Sequence, residues 1–310
     1  MQRREITIGT RGSKLALFQA NLVKAKLQQS FPGLRLRIRV IKTKGDVILD
    51  SPLAKIGDKG LFTKEIELAL FRGEIDLAVH SMKDLPTQLP EGLMVGAILE
   101  RDDPRDAFVS DKFARFDELP ANATVATSSL RRRAAVRMLR KDVHLVDIRG
   151  NIDTRLRKLR ENNLDGLILA AAGLIRLGLQ GHIREIFQPD RLTPAVAQGA
   201  LGVEIRSDDD GMREVLKPLH HAPTAAAILA ERAFLRGLEG GCQVPIGAFA
   251  EVNDGRLRLS GMLASLDGSR ALQQQIEGSV EEAEHLGQML AEKIRSLGGD
   301  DILREIAREH

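Results

Sequence analysis

The chain has 310 residues, about two domains' worth at the usual ~100 to 200 residues each, and 43% of them are hydrophobic, which excludes a disordered chain. Its 46 basic and 43 acidic side chains leave a formal net charge of +3, so composition alone favours no strongly charged partner. A single cysteine, Cys242, cannot form an internal disulfide or a cysteine-rich metal site, and no apolar run approaches the ~18 residues of a membrane-spanning helix.

The first third of the sequence alternates strand and helix signals, which predicts an α/β domain. Residues 6–9 indicate a strand that begins without the apolar region of a secretory signal, so we expect a cytoplasmic protein. Residues 15–29 indicate an amphipathic helix, and residues 34–40 (LRLRIRV) alternate like a half-buried strand whose apolar face includes Val40. FTKEIELALFRG then predicts a helix, and IDLAVHS and LMVGAIL predict two further strands.

A segment rich in proline and charge, ERDDPRDAFVS, interrupts this alternation. Strand and helix signals then return in ATVAT, LRRRAAVRMLR, HLVDIRG, IDTRLRKLREN and GLILAAA, which predicts a second α/β domain. The segment 192–202 is rich in small residues, and we expect the strand after it, at 203–206, to return to the sheet of the first domain. Such a double crossing would form a hinge.

The pattern changes again from about Pro223, where a helix leads into a glycine-rich loop and three predicted strands. Asp-Gly pairs at 254–255 and 267–268 favour tight hairpins between these strands. Helices at 280–297 and at the end would cover one face of the small antiparallel sheet, which predicts a third, α+β domain. The predicted division is 1–99 with 200–217 for domain 1, 100–199 for domain 2 and 218–310 for domain 3.

Arginine and hydroxyl side chains gather where predicted strands give way to helices. In α/β sheets this edge is the usual ligand site, because helix N-termini offer free backbone donors there and arginine matches carboxylate or phosphate. The pattern suggests a polyanionic ligand, although a solvated basic surface would explain the same residues. The group comprises Arg11 and Ser13 after the first strand, Thr127, Ser128, Ser129, Arg131, Arg132 and Arg133 after another, Arg149 after a third, and Arg155 and Arg176 just beyond.

Lys83 and Asp84 follow the strand that contains His80 and Ser81. The charged pair could be a surface ion pair, or Asp84 could stabilise a developing cation and move a proton. His80 and Ser81 are adjacent strand residues that point to opposite faces, so they do not form a catalytic pair. The adjacent histidines at 220 and 221 lack a third ligand, and we predict no metal site.

Cys242 lies in a glycine-flanked loop, EGGCQVPIG, between a helix and a strand. A lone cysteine is more often a buried small apolar residue than a reactive group, but the Gly-Gly pair allows the backbone to bring the sulfur into a cleft. Lys55 and Lys59, near the glycines of IGDKGLFTKE, are candidates for a mobile lid over an anionic site.

Eight motifs, taken together and in order, resemble those of the porphobilinogen deaminase family. They are GTRGSKLAL, TKGDVILDSPLAKIGDKGLFTKE, AVHSMKDLP, RDDPRDAFVS, TSSLRRR, RGNIDTRL, AVAQGALGVE and EGGCQVPIG, and they cover essentially the whole chain. The resemblance implies two α/β domains like those of periplasmic binding proteins, which flank a cleft, and a C-terminal α+β domain with a small antiparallel sheet.

The resemblance also implies an activity. Family members join four porphobilinogen molecules head to tail onto a dipyrromethane cofactor, release ammonia at each step and finally hydrolyse off hydroxymethylbilane, for porphyrin biosynthesis. Cys242 would hold dipyrromethane through a thioether, and Asp84 would stabilise the cationic azafulvene that forms as ammonia leaves. The family further implies a cytoplasmic monomer that acts on porphobilinogen, with no nucleic-acid or membrane partner.

Matching motif positions imply the remaining binding residues. The growing chain carries acetate and propionate groups, so it needs fixed cations. A non-enzymatic polycarboxylate-binding protein would share the cleft and arginines but would leave Cys242 and Asp84 without a role. The implied cofactor-binding residues are Cys242, Lys83, Asp84, Thr127, Ser129, Arg131, Arg132 and Arg155, the substrate-binding residues are Arg11, Ser13, Arg149, Arg155, Arg176, Gln198 and Gly199, and Lys55 and Lys59 belong to the lid.

Overall fold

A computed structural model describes residues 5–47, 61–238 and 244–309. Tertiary contacts divide them into two units. The described parts of the first unit are 5–47, 61–102 and 200–225, and those of the second are 103–199, 226–238 and 244–309.

The first unit contains a five-stranded sheet with the strand order β2-β1-β3-β10-β4. β1, β2 and β3 are parallel, whereas β10 is antiparallel to both β3 and β4. The predicted return of the chain to the first sheet is therefore confirmed. The strands are β1 Ile6–Thr10, β2 Leu36–Val40, β3 Leu77–Ser81, β4 Leu93–Ile98 and β10 Leu201–Arg206, and the helices are α1 Lys14–Ser30, α2 Lys44–Val47, α3 Lys64–Phe71 and α7 Asp210–Leu216.

The burial of each strand agrees with its position in the sheet. All five residues of β1 are buried, as expected for an inner strand covered on both faces. β2 is an edge strand, and only Leu36 of its apolar face is fully buried. Val40 is 52% exposed, so its expected place on the buried face of a half-buried strand is wrong; it is the last residue of an edge strand, which has a neighbouring strand on one side only.

The second unit contains a five-stranded sheet with the order β7-β6-β8-β5-β9. The interpretation of ERDDPRDAFVS as a mere interruption is wrong, because its residues DAFV form β5, an inner strand that is buried throughout. The elements of this part are β5 Asp106–Val109, β6 Thr124–Ala126, β7 His144–Val146, β8 Gly166–Ala170, β9 Ile183–Ile186, α4 Leu130–Leu139, α5 Ile152–Glu161 and α6 Ala171–Arg176.

The same unit holds a three-stranded antiparallel sheet, β11-β12-β13, which confirms the predicted C-terminal α+β part. The first hairpin turns at Asp254 (φ 49°) and Gly255 (φ 76°), the positive φ pair of a type I′ turn. Helices pack closely on β12, since a Cβ at Gly261 would lie 2.6 Å from Phe234 and 2.9 Å from Leu290. The elements are α8 Ala222–Gly237, β11 Ile246–Asn253, β12 Arg256–Ala264, β13 Ala271–Ser279, α9 Ala283–Ile294 and α10 Asp300–Arg308.

The α/β fold class is thus confirmed, with two mixed sheets carrying helices and a small antiparallel sheet. The C-terminal sheet belongs to the same unit as residues 103–199. The division into three domains with the boundaries given above stays a prediction.

Candidate active site

In the first unit, the end of β1 carries the first predicted anion-binding residues. The Arg11 guanidinium lies over the Phe62 ring, 4.1 Å from its centroid. Ser13 is the N-cap of α1, and its Oγ accepts a hydrogen bond from the backbone N–H of Ala16 at 3.2 Å. Ser13 therefore caps α1, and a hydroxyl at this position can still donate its own proton to a ligand.

The Lys83–Asp84 pair lies on a short 3₁₀ turn, Met82–Asp84, directly after β3. Met82 and Leu85 are buried on either side of the pair, whereas Lys83 and Asp84 are exposed. The Met82 N–H donates to the carbonyl of Ala200 at 3.0 Å. The turn is therefore fixed by two apolar anchors and a backbone bond, and it presents the charged pair outward.

The residues before this turn form contacts that sequence reasoning missed. Ser81 Oγ accepts a hydrogen bond at 2.8 Å from Nε2 of Gln19, a buried residue of α1. His80 is buried, and its Nε2 lies 2.9 Å from Oε2 of the fully buried Glu204 on β10. The prediction that His80 and Ser81 are not a catalytic pair is in keeping with these separate partners. Glu67 of α3 is also buried, near His80 and Glu204, and burial raises the pKa of Glu67.

In the second unit, the residues after β6 begin helix α4. Thr127 is buried, and its Oγ1 accepts from the Ser129 N–H at 3.3 Å. Ser129 is the N-cap of α4 and accepts from the Arg132 N–H. Ser128 Oγ donates to the carbonyl of Ile148 at 2.8 Å and accepts from the N–H of Ile148 at 2.9 Å. These bonds join the loop after β6 to the loop after β7, where Arg149 lies.

Arg131 and Arg132 do not lie on a solvated helix face, because both are buried against Asp106 of β5. Arg132 donates to Asp106 Oδ1 from Nε at 3.0 Å and from Nη2 at 2.6 Å, and Arg131 Nη1 lies 2.8 Å from Oδ2. Burial alone would raise the pKa of Asp106, but the two guanidiniums together hold that pKa well below its ordinary value. Asp106 is fully buried and was not among the residues predicted from the sequence.

Two arginines, Arg131 and Arg176, bind the backbone of the segment 193–199, which precedes β10. Arg131 Nη1 donates to the carbonyl of Thr193 at 2.6 Å, and Arg176 Nη2 donates to the carbonyl of Gly199 at 2.6 Å. Gln198 Nε2 donates to Asp106 Oδ1 at 2.9 Å. The structure therefore brings four predicted site residues, namely Arg131, Arg132, Arg176 and Gln198, together around one segment and one carboxylate.

A second unforeseen carboxylate also holds this segment. Glu231 of α8 is fully buried, with Oε2 accepting from the Ala197 N–H at 2.6 Å and Oε1 accepting from the Ala250 N–H at 2.8 Å. Ala197 has a φ of 62°, a left-handed conformation that is unfavourable for alanine. No local pattern around Glu231 signals this contact, since its partners lie 34 and 19 residues away.

Arg149 and Arg155 lie at the start of α5. Arg155 Nε donates to the carbonyl of Gly150 at 2.8 Å, and Gly150 has a φ of 112°. Asn151 caps α5 by accepting from the Thr154 N–H at 2.9 Å. Arg149 is half-buried, and its Nη2 is buried without a hydrogen-bond partner in the described part of the chain.

Two guanidinium nitrogens are thus buried donors without a partner among the described residues, Nη2 of Arg149 and Nε of Arg131. A buried donor is costly to leave unpaired, and a carboxylate matches a guanidinium in both charge and geometry. This donor set fits a ligand that carries several carboxylates.

Three predicted residues, Lys55, Lys59 and Cys242, lie outside the described residues. Within the described ranges, no group of three or more His, Cys, Asp and Glu side chains could hold a metal ion. Of the helices described, none has both the length and the apolar character needed to cross a membrane.

Both parts of the chain match family models. Residues 6–214 match the model described as "Porphobilinogen deaminase, dipyromethane cofactor binding domain", and residues 225–296 match "Porphobilinogen deaminase, C-terminal domain". A porphobilinogen deaminase of Pelotomaculum thermopropionicum is 52% identical over 307 residues, 99% of this chain and 98% of the relative. One of Carboxydothermus hydrogenoformans is 53% identical over 307 residues, 99% of each chain.

Solved structures of binding proteins are similar at much lower identity. A periplasmic substrate-binding protein of an ABC transporter from Coxiella burnetii is 12% identical with a TM-score of 0.45, covering 73% of this chain and 96% of that chain. A nutrient binding protein from Burkholderia cenocepacia bound to methionine is 12% identical with a TM-score of 0.43, covering 69% of this chain and 91% of that chain.

Proposed function

The chain belongs to the porphobilinogen deaminase family, and from that premise we propose which of its residues bind and which react. It is a hydroxymethylbilane synthase, a transferase of tetrapyrrole biosynthesis with a dipyrromethane cofactor. The identity of 52 to 53% carries the proposal, because the matched region covers 99% of the chain.

The carboxylates of cofactor and substrate are bound by the arginines of the second unit. The unpaired Arg149 Nη2 and Arg131 Nε are buried donors that a carboxylate would satisfy. Arg155 in the first turn of α5 and the hydroxyls of Thr127 and Ser129 just before α4 supply further donors. Dipyrromethane, when bound, supplies the pyrrole carbon onto which the first porphobilinogen condenses. Substrate carboxylates are bound by the remaining cations and polar groups, Arg11, Ser13, Arg176, Gln198 and Gly199.

Asp84 is the catalytic residue of this proposal. Its carboxylate accepts hydrogen bonds from pyrrole N–H groups and stabilises the positive charge that develops on the substrate as the carbon–nitrogen bond breaks and ammonia leaves. The same carboxylate can take up a proton when the new carbon–carbon bond forms and aromaticity is restored. Its place on an exposed turn between two buried anchors fits this role, because the turn fixes the carboxylate and leaves it accessible. Lys83, beside it, pairs with a carboxylate of the cofactor.

Cys242 attaches the cofactor covalently. It is the chain's single thiol, and a thioether requires a sulfur that the other side chains able to act as nucleophiles do not offer. We further propose that Lys55 and Lys59, which lie outside the described residues, add positive charge for binding the carboxylates. We also propose that the enzyme is a cytoplasmic monomer, in keeping with a lone cysteine that needs no oxidising compartment.

Intact-protein mass spectrometry tests this function. The wild-type protein is expected to exceed its sequence mass by one dipyrromethane, and Cys242→Ala should have the unmodified mass. Incubation of the wild type with porphobilinogen should add further pyrrole units in steps. An active wild type of unmodified mass, or an adduct that persists in Cys242→Ala, would contradict the attachment. Elution at twice the monomer mass in size-exclusion chromatography would contradict the monomer.

A further inference from the structure

A single buried carboxylate organises the arginine pair of the second unit. Asp106 is 0% exposed, and Oδ1 accepts three hydrogen bonds, two from Arg132 and one from Gln198 Nε2. Its other oxygen, Oδ2, contacts Arg131 Nη1 at 2.8 Å. Ligand binding is assigned to all three partners, Arg131, Arg132 and Gln198. Asp106 itself is a fully buried residue of β5.

The charges in this cluster do not balance. Among the described residues, two guanidiniums, 5% and 7% exposed, face one carboxylate, so this part of the cluster has one positive charge in excess. Buried charges are stable only when paired, and the excess therefore favours a further anion. A carboxylate of the ligand is such an anion.

The two arginines are used differently. Arg132 is anchored, because Nε and Nη2 donate to Asp106 and Nη1 donates to the carbonyl of Ile168 at 3.0 Å. Arg131 is held at Nη1 by Asp106 and the Thr193 carbonyl, whereas its buried Nε has no hydrogen-bond partner in the described ranges. A guanidinium fixed at one nitrogen with another nitrogen available is oriented in advance for a second carboxylate.

We propose that Asp106 is a positioning residue for the binding of dipyrromethane. Asp106 holds Arg131 and Arg132 in the orientation that receives the carboxylates of the cofactor and of the growing chain. This inference rests on the proposed binding role of the two arginines. Asp106 does not touch the ligand, and it acts by fixing the guanidinium planes and by keeping the excess charge at one.

The alternative is that Asp106 only neutralises buried charge so that the unit folds. Both roles predict that Asp106→Asn is less stable than the wild type, so stability does not separate them. A positioning role predicts in addition that the carboxylate must stand at the right place. Misplacement of a binding group by about 1 Å can cost on the order of 100-fold in rate.

Asp106→Glu tests position with the charge kept. The longer side chain keeps the single negative charge beside both guanidiniums but moves the carboxylate by about one carbon–carbon bond, roughly 1.5 Å. We expect a folded protein whose KM for porphobilinogen rises about tenfold or more, while kcat of the cofactor-loaded fraction changes less than about threefold. A KM equal to that of the wild type would overturn the proposal.

Asp106→Asn tests the charge, with Asp165→Asn as the matched control. Asp165 is an aspartate of the same unit that accepts from the Thr124 N–H and from Lys112 Nζ, both at 2.8 Å, and touches none of the proposed ligand-binding arginines. Both variants should melt at lower temperature. Only Asp106→Asn should lose dipyrromethane, measured as the fraction of molecules with the cofactor mass after identical expression.

The outcomes separate this inference from the proposed function. A wild type without dipyrromethane would contradict the function itself. A wild type that carries the cofactor, with Asp106→Asn loaded as fully as Asp165→Asn, would overturn only the positioning role. If Asp106→Asn does not fold, the KM of Asp106→Glu decides between the positioning role and a role only in neutralising buried charge.

Discussion

Gly268, in the turn between β12 and β13, lies against the backbone of Ala134 in α4, so that a Cβ on the glycine would stand 2.7 Å from the Ala134 carbonyl oxygen. The neighbouring Leu266 carbonyl accepts a hydrogen bond from Arg137 Nη1 at 3.1 Å. The small antiparallel sheet thus supports the helix that carries Arg131 and Arg132. A change in this turn should reach the arginines through α4.

Gly268→Ala should therefore destabilise the protein more than Gly255→Ala, measured as the free energy of unfolding in urea. Both glycines occupy hairpin turns at similar φ, 69° and 76°, so the backbone strain of alanine, about 1 kcal/mol, is common to both. Among the described residues, a Cβ at Gly268 would meet backbone at 2.7 Å, whereas a Cβ at Gly255 would meet nothing within 4 Å. We expect an extra cost of about 1 to 3 kcal/mol for overpacking. Equal losses of unfolding free energy in the two variants would show that the contact of Gly268 with α4 does not affect stability.

Asp84→Asn should leave the fold and the dipyrromethane mass unchanged and should lower turnover of porphobilinogen by about 10² to 10⁴. Asp84 is exposed, so the substitution should change the free energy of unfolding by less than about 0.5 kcal/mol. Asp208→Asn, another exposed aspartate of the same unit, is the control and should keep full turnover. Turnover of Asp84→Asn within about threefold of the wild type would exclude the assigned role.

Removing one partner of the buried His80–Glu204 pair should be costly. In His80→Ala, the carboxyl group of Glu204 stays buried without its 2.9 Å partner, and we expect a loss of about 3 to 5 kcal/mol in urea unfolding. The exposed pair between Lys217 and Glu214 in the same unit gives the control, since Glu214→Ala should cost less than about 1 kcal/mol. Similar losses of unfolding free energy in both variants would indicate that burial does not determine how much the His80–Glu204 pair contributes to stability.

Glu67→Gln should stabilise the protein in a manner that depends on pH. Burial raises the pKa of Glu67 above its ordinary 4.5, so the folded state holds this proton more tightly than the unfolded state. Stability of the wild type therefore falls as pH rises from the unfolded value through the folded value, because ionisation in the buried site is unfavourable. The glutamine variant lacks this cost.

Unfolding curves at a series of pH values measure this difference. The glutamine variant and the wild type should be equally stable well below pH 4.5, and the variant should gain relative stability as pH rises above it. Glu91→Gln, which replaces an exposed glutamate of the same unit, should run parallel to the wild type. A gain that appears only on acidification would show the opposite sign and refute the raised pKa.

The sequence predicts the strand ends and helix starts that carry the candidate arginines, because hydrophobic periodicity and capping residues are local signals. It does not predict what those arginines contact. Asp106 lies in a segment whose prolines and charges indicate a loop, and it can be buried in a strand only because two arginines from α4 neutralise it. Glu204 is 124 residues from His80, and only the antiparallel insertion of β10 beside β3 brings the two together. Long-range partners of this kind leave no periodic trace in the chain.

The position of β10 between β3 and β4 has a consequence for biosynthesis on the ribosome. Strands β3 and β4 are made before residues 103–199, whereas the strand that joins them is made afterwards. At about 5 to 20 residues per second, the nascent first sheet waits roughly 5 to 20 s with β3 as an open edge and β4 still unpaired. Such edges invite pairing with other chains, so a nascent chain arrested before residue 200 should depend on chaperones in a way that the finished protein does not.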